Sequence, residues 1–135
     1  VTVLVPFLPE PEITEDVLAE LRAIFTGFAA FDLIFAKTAR FPTVLYLVPE
    51  PDRPIRDMTA AVYARWPQCP PYEGAYPDPT PHATVVHDGT EEEFEEVRRV
   101  LETRLPLRTR AAAVDLLVFD GSRWILRERI PFAEG

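Results

Sequence analysis

The chain has 135 residues, of which 47% are hydrophobic and 27% charged, a composition typical of one compact globular domain. Its net charge of -8 argues against a long nucleic-acid tract as partner, because proteins that bind such tracts usually present a basic surface. A single cysteine excludes an internal disulfide. No apolar run is long enough to span a membrane and no signal peptide is apparent, so we expect a cytoplasmic protein without a membrane partner.

The first half of the chain shows the pattern strand, helix, strand, turn, strand. Residues 1–5 are mostly β-branched and predict a buried strand. An amphipathic helix is predicted to follow Thr14, its N-cap, and to end near Gly27. Apolar residues alternate along a strand over 31–40, and a turn leads to a further strand over 43–48.

Residues 51–81 are predicted to link the two halves. Asp52 is expected to cap a helix that begins near Pro54, since proline favours the first helical position. The helical spacing predicts a buried face made of Ile55, Met58, Val62 and Trp66. The proline-rich stretch 67–81 predicts a long loop, and that pattern is as typical of a simple crossover as of the border of a functional site.

The second half repeats this order of elements. A strand is predicted over 82–86, and Thr90 begins a Thr-Glu-Glu-Glu capping box that opens a helix. The stretch 107–119 contains a further strand. Asp120–Gly121 is a strong turn signal, so residues 123–130 are expected to return as the second strand of a hairpin.

The spacing of the two halves is the same. As many residues separate Thr2 from Val48 as separate Thr84 from Ile130. Two strand–helix–hairpin units of equal length predict a single α+β domain over 1–135, with two lobes related by a pseudo-twofold axis. The lobes would cover about 1–50 and 82–135, and their antiparallel sheets would border a central cleft.

A His-x-Thr motif, His82-Ala83-Thr84, stands on the first strand of the second half. Alternation along a strand places His82 and Thr84 on one face. In an uninterrupted strand His87 falls on the opposite face, which disfavours a metal site made of the two histidines. Val1-Thr2-Val3 matches the surroundings of Thr84, and in that match the partner of His82 is the position before Val1.

If the two first strands lie side by side, Thr2, Thr84 and His82 enter one cleft. Such an arrangement suits phosphodiester hydrolysis, in which the attacking and leaving oxygens lie on opposite sides of phosphorus. Histidine suits proton transfer because its pKa lies near neutrality, and threonine hydroxyls can donate to the charged phosphate oxygens. This chemistry needs no metal, and no glycine-rich phosphate loop or other cofactor motif occurs in the sequence.

These motifs resemble those of the 2′-5′ RNA ligase family within the two-histidine phosphoesterases, whose signature is two His-x-Thr/Ser motifs. The second motif is complete as His82-Ala83-Thr84, whereas Val1-Thr2 matches the first motif without its histidine. Residues 41–47, Phe-Pro-Thr-Val-Leu-Tyr-Leu, and 70–74, Pro-Pro-Tyr-Glu-Gly, also look like bacterial members. Members usually carry a strand and a helix before the first motif. The resemblance implies a bilobal α+β fold and activity on RNA ends or cyclic nucleotides.

The predicted catalytic residues are therefore His82, Thr84 and Thr2, with no metal and no cofactor. Two further residues are candidates for substrate binding. Tyr46, in the middle of a strand, either lines the cleft or packs within the fold. Arg40, at a strand end, either reaches a phosphate or remains solvated.

The predicted function is metal-free hydrolysis of a 2′,3′-cyclic phosphate or a similar small phosphodiester, with a small nucleotide or an RNA terminus as partner. Two alternatives stay open: a module that binds a nucleotide or RNA end without turnover, and a domain whose vestigial cleft binds nothing. An exposed sheet edge is also expected, through which two copies of the chain could pair.

Overall fold

The computed structural model describes residues 1–134 and combines three α-helices with six antiparallel strands. The helices are α1 (Glu15–Phe25), α2 (Arg53–Arg65) and α3 (Glu91–Glu102). The strands are β1 (Phe31–Phe41), β2 (Val44–Glu50), β3 (Ala83–His87), β4 (Leu107–Ala111), β5 (Ala113–Phe119) and β6 (Trp124–Pro131). Single 3₁₀ turns cover Glu10–Glu12 and Pro71–Gly74. No helix within the described residues is long and apolar enough to cross a membrane.

The strands form two sheets. The larger sheet has the order β3–β2–β1–β4, and β5 pairs only with β6. The predicted α+β class is confirmed. The pseudo-twofold relation between two equal lobes is not confirmed, because strands from both halves of the chain share the larger sheet.

Residues 1–5 do not form a strand, so that prediction is wrong. The Val3 carbonyl accepts a hydrogen bond from the Thr59 hydroxyl at 2.6 Å, and the Val5 carbonyl accepts one from the Tyr72 N–H at 2.6 Å. A strand needs a neighbouring strand as its hydrogen-bond partner. Here α2 and the loop after it supply the partners instead. Composition could not reveal which groups satisfy the backbone of this segment.

Two of the three predicted helix N-caps are confirmed. The Thr14 hydroxyl accepts from the Val17 N–H at the start of α1, and the predicted capping box of Thr90 and Glu93 is complete. At α2, Asp52 has a helical backbone and makes no capping hydrogen bond. Its carboxylate instead accepts from the Arg56 guanidinium at 3.0 Å, so the prediction of an Asp52 cap is wrong.

The main core lies between α1, α2 and one residue of β6. It contains Met58, Val62 and Trp66 of the predicted buried face of α2. The fourth residue of that face, Ile55, is also buried, so the prediction of the buried face is confirmed. The core residues are Leu21, Phe25, Met58, Val62, Trp66, Cys69 and Ile130. Beside this core an apolar cleft of about 760 Å³ runs between the larger sheet and the hairpin of β5 and β6, with residues 1–5 along its wall.

Candidate active site

The two faces of the larger sheet have different surroundings. Along β2, Val44 and Tyr46 point to one side, called here the tyrosine face, and Leu45 and Leu47 point to the other, the leucine face. The leucine face borders the helices and the apolar cleft, and Leu45 is completely buried. The tyrosine face carries the predicted histidine motif.

His82 and Thr84 lie on the tyrosine face together. Thr84 pairs with Tyr46 across the ladder between β3 and β2, while Ala83 pairs with Leu47. The His82 imidazole, one residue before β3, lies edge-on to the Tyr46 ring with their centroids 5.6 Å apart. It also lies edge-on to the Phe41 ring at 5.2 Å. The structure thus joins both residues of the motif to Tyr46 and adds Phe41, which the sequence analysis did not select.

The His82 ring is held in one orientation. Its Nδ1 lies 2.7 Å from the Thr80 carbonyl oxygen. A carbonyl can only accept a hydrogen bond, so Nδ1 must carry the hydrogen. In the neutral ring this leaves Nε2 as the proton acceptor. The two aromatic contacts limit rotation of the ring, so the imidazole is positioned for proton transfer before any ligand binds.

The loop that provides the Thr80 carbonyl is anchored to α2 by Arg56. The guanidinium donates to the Asp78 carboxylate at 2.7 Å and to the Pro79 carbonyl at 3.4 Å, and it also donates to Asp52. The hydrogen bond to Asp52, together with the charges of Asp78 and Asp52, raises the pKa of Arg56. The proline-rich loop therefore contacts His82, and its role as the border of a functional site stays a prediction. Arg56 could not be singled out from the sequence, because its loop partners, Asp78 and Pro79, lie in a separate segment.

The position of His87 differs from the prediction. Thr84 pairs with Tyr46 and Val86 pairs with Leu45, so Val85 has no partner in the ladder and forms a β-bulge. His87 then pairs with Val44, which places it on the tyrosine face with Thr84. The prediction of the opposite face is wrong because one extra residue shifts the alternation. The Nδ1 of His87 lies 3.1 Å from the Asp88 carboxylate.

Arg40 occupies the other face. It pairs with Leu45 across the ladder, and its guanidinium makes two hydrogen bonds to Glu91, at 2.7 and 2.8 Å. The guanidinium also lies 4.1 Å from the centre of the Phe94 ring. These contacts attach α3 to the sheet. The structure does not bring Arg40 together with His82, and neither of the predicted states, phosphate contact or simple solvation, describes it.

Tyr46 packs within the fold. Only 7% of its surface is exposed, and its ring stacks on Phe41 with centroids 4.4 Å apart. Of the two interpretations of this residue, the structure therefore supports packing. Its contact with the His82 ring nevertheless makes it part of the wall behind the imidazole.

Thr2 lies in a segment that does not pair with the strand of Thr84. It lines the apolar cleft with Leu33, and it lines a second cavity of about 50 Å³ with Thr80. The side-by-side arrangement of two motif strands is absent because residues 1–5 form no strand. A catalytic role for Thr2 stays a prediction.

Comparison with known families gives one clear result. The model of the 2′-5′ RNA ligase superfamily matches residues 1–123, which include the first half of the chain, most of the second half and the complete motif His82-Ala83-Thr84. The chain belongs to the 2′-5′ RNA ligase superfamily. No curated protein matches it by sequence. Membership of the 2′-5′ RNA ligase superfamily supports a two-histidine phosphoesterase or RNA ligase-like function in general.

Proposed function

We propose that this member of the 2′-5′ RNA ligase superfamily hydrolyses a 2′,3′-cyclic phosphate or a similar small phosphodiester at an RNA end, on the tyrosine face of its larger sheet. The observation that carries the proposal is the hydrogen bond between His82 Nδ1 and the Thr80 carbonyl at 2.7 Å. It fixes the tautomer that leaves Nε2 free to accept a proton.

In the proposed reaction water attacks phosphorus while His82 Nε2 takes its proton. The new P–O bond forms as the bond to one ribose oxygen breaks, and a second acid returns a proton to that oxygen. The Thr84 hydroxyl donates to a non-bridging phosphate oxygen, whose charge persists throughout. The resemblance assigns the second acid to the histidine of the first motif, of which this sequence contains the Val-Thr part at Val1 and Thr2.

Replacing the imidazole tests this function. His82→Ala is expected to lower the hydrolysis of adenosine 2′,3′-cyclic phosphate at least about tenfold, since positioned acid–base groups usually contribute more than that. Val85→Ala, three residues farther along the chain and within β3, is the control and should keep full activity. An effect of His82→Ala below about tenfold would remove His82 from the reaction.

A second candidate function is binding without turnover. It is favoured by residues 1–5, which contain Thr2 and form no strand, so the two motif segments do not lie on paired strands. Titration with a nucleotide, combined with an assay for product, separates the two functions. Saturable binding that depends on His82 but forms no product would favour the binding module.

A further inference from the structure

The orientation of the His82 ring depends on a loop segment that is weakly held by its own backbone. The Thr80 carbonyl, which lies 2.7 Å from His82 Nδ1, belongs to residues 76–80, Tyr-Pro-Asp-Pro-Thr. Within the described part of the chain these five residues make no backbone–backbone hydrogen bond, and the two prolines have no N–H to donate. The carbonyl can hold the imidazole in place only if another group holds this segment.

Arg56 holds the segment from the first turn of α2. Its guanidinium donates to the Asp78 carboxylate at 2.7 Å and makes a longer contact of 3.4 Å to the Pro79 carbonyl, directly before Thr80. It also donates to the Asp52 carboxylate at 3.0 Å, which fixes the guanidinium at the start of its own helix. The Arg56 side chain is 31% exposed, so solvent screens these contacts less than those of a fully exposed pair.

The shape of the arginine side chain suits these contacts. Its planar fork of five N–H donors can reach a carboxylate on its own helix and two acceptors of the loop at once, whereas a lysine ammonium places its donors at one point. A cavity of about 50 Å³ lies beside the guanidinium and is also lined by Thr59 and Thr80. Polar contacts, more than close packing, therefore connect the loop to α2 at this point.

We propose that Arg56 is a positioning residue for His82, because it holds the loop so that the Thr80 carbonyl keeps the hydrogen on Nδ1 and leaves Nε2 as the proton acceptor. In water a free histidine favours the hydrogen on Nε2, so the loop imposes the less common tautomer. Arg56 acts only through the loop and does not touch the substrate. Its effect on catalysis rests on the proposed function, whereas its effect on the His82 ring does not.

NMR of the imidazole nitrogens tests the proposal. At about pH 8.5 histidine side chains are neutral, and their ¹⁵N chemical shifts report which nitrogen carries the hydrogen. The chain has two histidines, and the signals that disappear in His82→Ala belong to His82. In the wild type, Nδ1 of His82 is expected to have the shift of a protonated nitrogen. In Arg56→Ala the two shifts of His82 should move toward those of free histidine, while those of His87 stay unchanged.

Further variants separate this role from a general loss of structure. Arg53→Ala is the matched control, because it removes an arginine and its ion pair with Asp57 from the same turn of α2 without touching the loop. It should leave the His82 shifts unchanged. Asp78→Asn alters a side chain that is 88% exposed, so the fold should persist, and it should move the His82 shifts in the same direction as Arg56→Ala. Arg56→Lys keeps the charge beside Asp78 and should restore part of the wild-type shifts.

Kinetics of cyclic phosphate hydrolysis give a second readout. Arg56→Ala is expected to lower kcat about three- to tenfold, a part of the contribution of a positioned acid–base group. Its KM should change less than about twofold, since the residue does not contact the substrate. If the wild type hydrolyses no cyclic phosphate although the His82 shifts respond as expected, the proposed function fails and the positioning role stands.

Three results would overturn the positioning role. One is a wild-type His82 with the shifts of free histidine. Another is a folded Arg56→Ala variant that keeps the wild-type shifts, and the third is an equal response of His82 and His87, which would indicate a general perturbation. Circular dichroism of each variant verifies that it is folded. If Arg56→Ala does not fold, Asp78→Asn decides by the same criteria.

Discussion

At the scale of single residues, Gly89 shows how closely the chain packs where β3 passes into α3. A Cβ atom at this position would lie 2.6 Å from Val86 Cγ1 and 3.3 Å from the Phe94 ring. The preceding residue, Asp88, has a φ of 57°, so the backbone turns sharply here. The absence of a side chain at Gly89 leaves room for both the Val86 and the Phe94 side chains.

Adding one methyl group tests this contact. Gly89→Ala is expected to lower the free energy of unfolding by about 1–3 kcal/mol, the usual cost of overpacking a filled site. Urea denaturation measures the change. In a Val86→Ala background the same substitution should cost less, because the atom that it meets has been removed. Equal costs in the two backgrounds would show that the contact is not the cause.

At the scale of elements, α3 is attached to the sheet mainly through its first turns. Phe94 is buried and lies under the Arg40 guanidinium, whose carboxylate partner is Glu91. The helical spacing of the sequence predicts an apolar stripe for this helix, made of Phe94, Val97, Val100, Leu101 and Leu105. Within it Val100 is 53% exposed. The stripe therefore predicted the helix correctly, but it predicted the burial of the apolar residues only in part. An apolar residue of a helix is buried only where another element packs against it.

The pair of Arg40 and Glu91 predicts a dependence of stability on pH. The hydrogen bond from Arg40 lowers the pKa of Glu91 below its ordinary value of 4.5. A group with a lowered folded-state pKa stabilises the fold above its ordinary pKa, and this contribution is lost as the pH falls through the folded-state value. Glu91→Gln should therefore lower the midpoint of thermal unfolding near neutral pH, and its difference from the wild type should shrink as the pH falls below 4.5 through the lowered folded-state pKa.

The exposure of the Glu91 side chain limits how much this ion pair stabilises the fold. The Glu91 side chain is 76% exposed, so solvent and salt screen the pair and the difference should also shrink at high ionic strength. Glu92→Gln is the matched control, because it removes one negative charge from the same turn and leaves the partner of Arg40 in place. A constant difference between wild type and Glu91→Gln from neutral to acid pH would contradict the assigned cause.

At the scale of the whole molecule, the hairpin of β5 and β6 depends on a few inward-facing residues for its attachment. Ile130 belongs to the core shared with α1 and α2, and Val118 packs with Leu18 of α1. On the outer part of the hairpin, Trp124 and Leu126 are 57% and 49% exposed. An isolated two-stranded sheet is marginally stable, so the hairpin must take its stability from these core contacts. Pairing between two copies of the chain through a sheet edge stays a prediction.

Two truncations on one strand test this dependence. Ile130→Ala is expected to lower the free energy of unfolding by about 2–5 kcal/mol, the range for deleting a buried aliphatic side chain. Leu126→Ala, on the same strand but half exposed, should change it by less than about 1 kcal/mol. Denaturant titration gives both values. Similar losses for the two variants would mean that the outer part of the hairpin is buried in solution.

Much of the fold follows from local signals that the sequence carries openly. The caps at Thr14 and Thr90 and the buried face of α2 depend on residues within one or two helical turns of each other. The turn at Asp120–Gly121 is equally local: the Asp120 carboxylate accepts from the Ser122 and Arg123 N–H groups, and Gly121 has a φ of 101°. The motif at 82–84 and the family resemblance are likewise properties of the sequence alone.

The tertiary structure decided which distant segments of the chain pair with each other. Whether residues 1–5 form a strand depended on Thr59 and Tyr72, far along the chain. The face on which His87 lies depended on one unpaired residue, Val85, in the ladder with β2. Periodicity within a segment reports which residues share a side, but a partner strand sets the register, and a single bulge reverses the sides beyond it. For that reason the sequence by itself could identify His82 and Thr84 as a pair, and only the fold could bring His87 to their side.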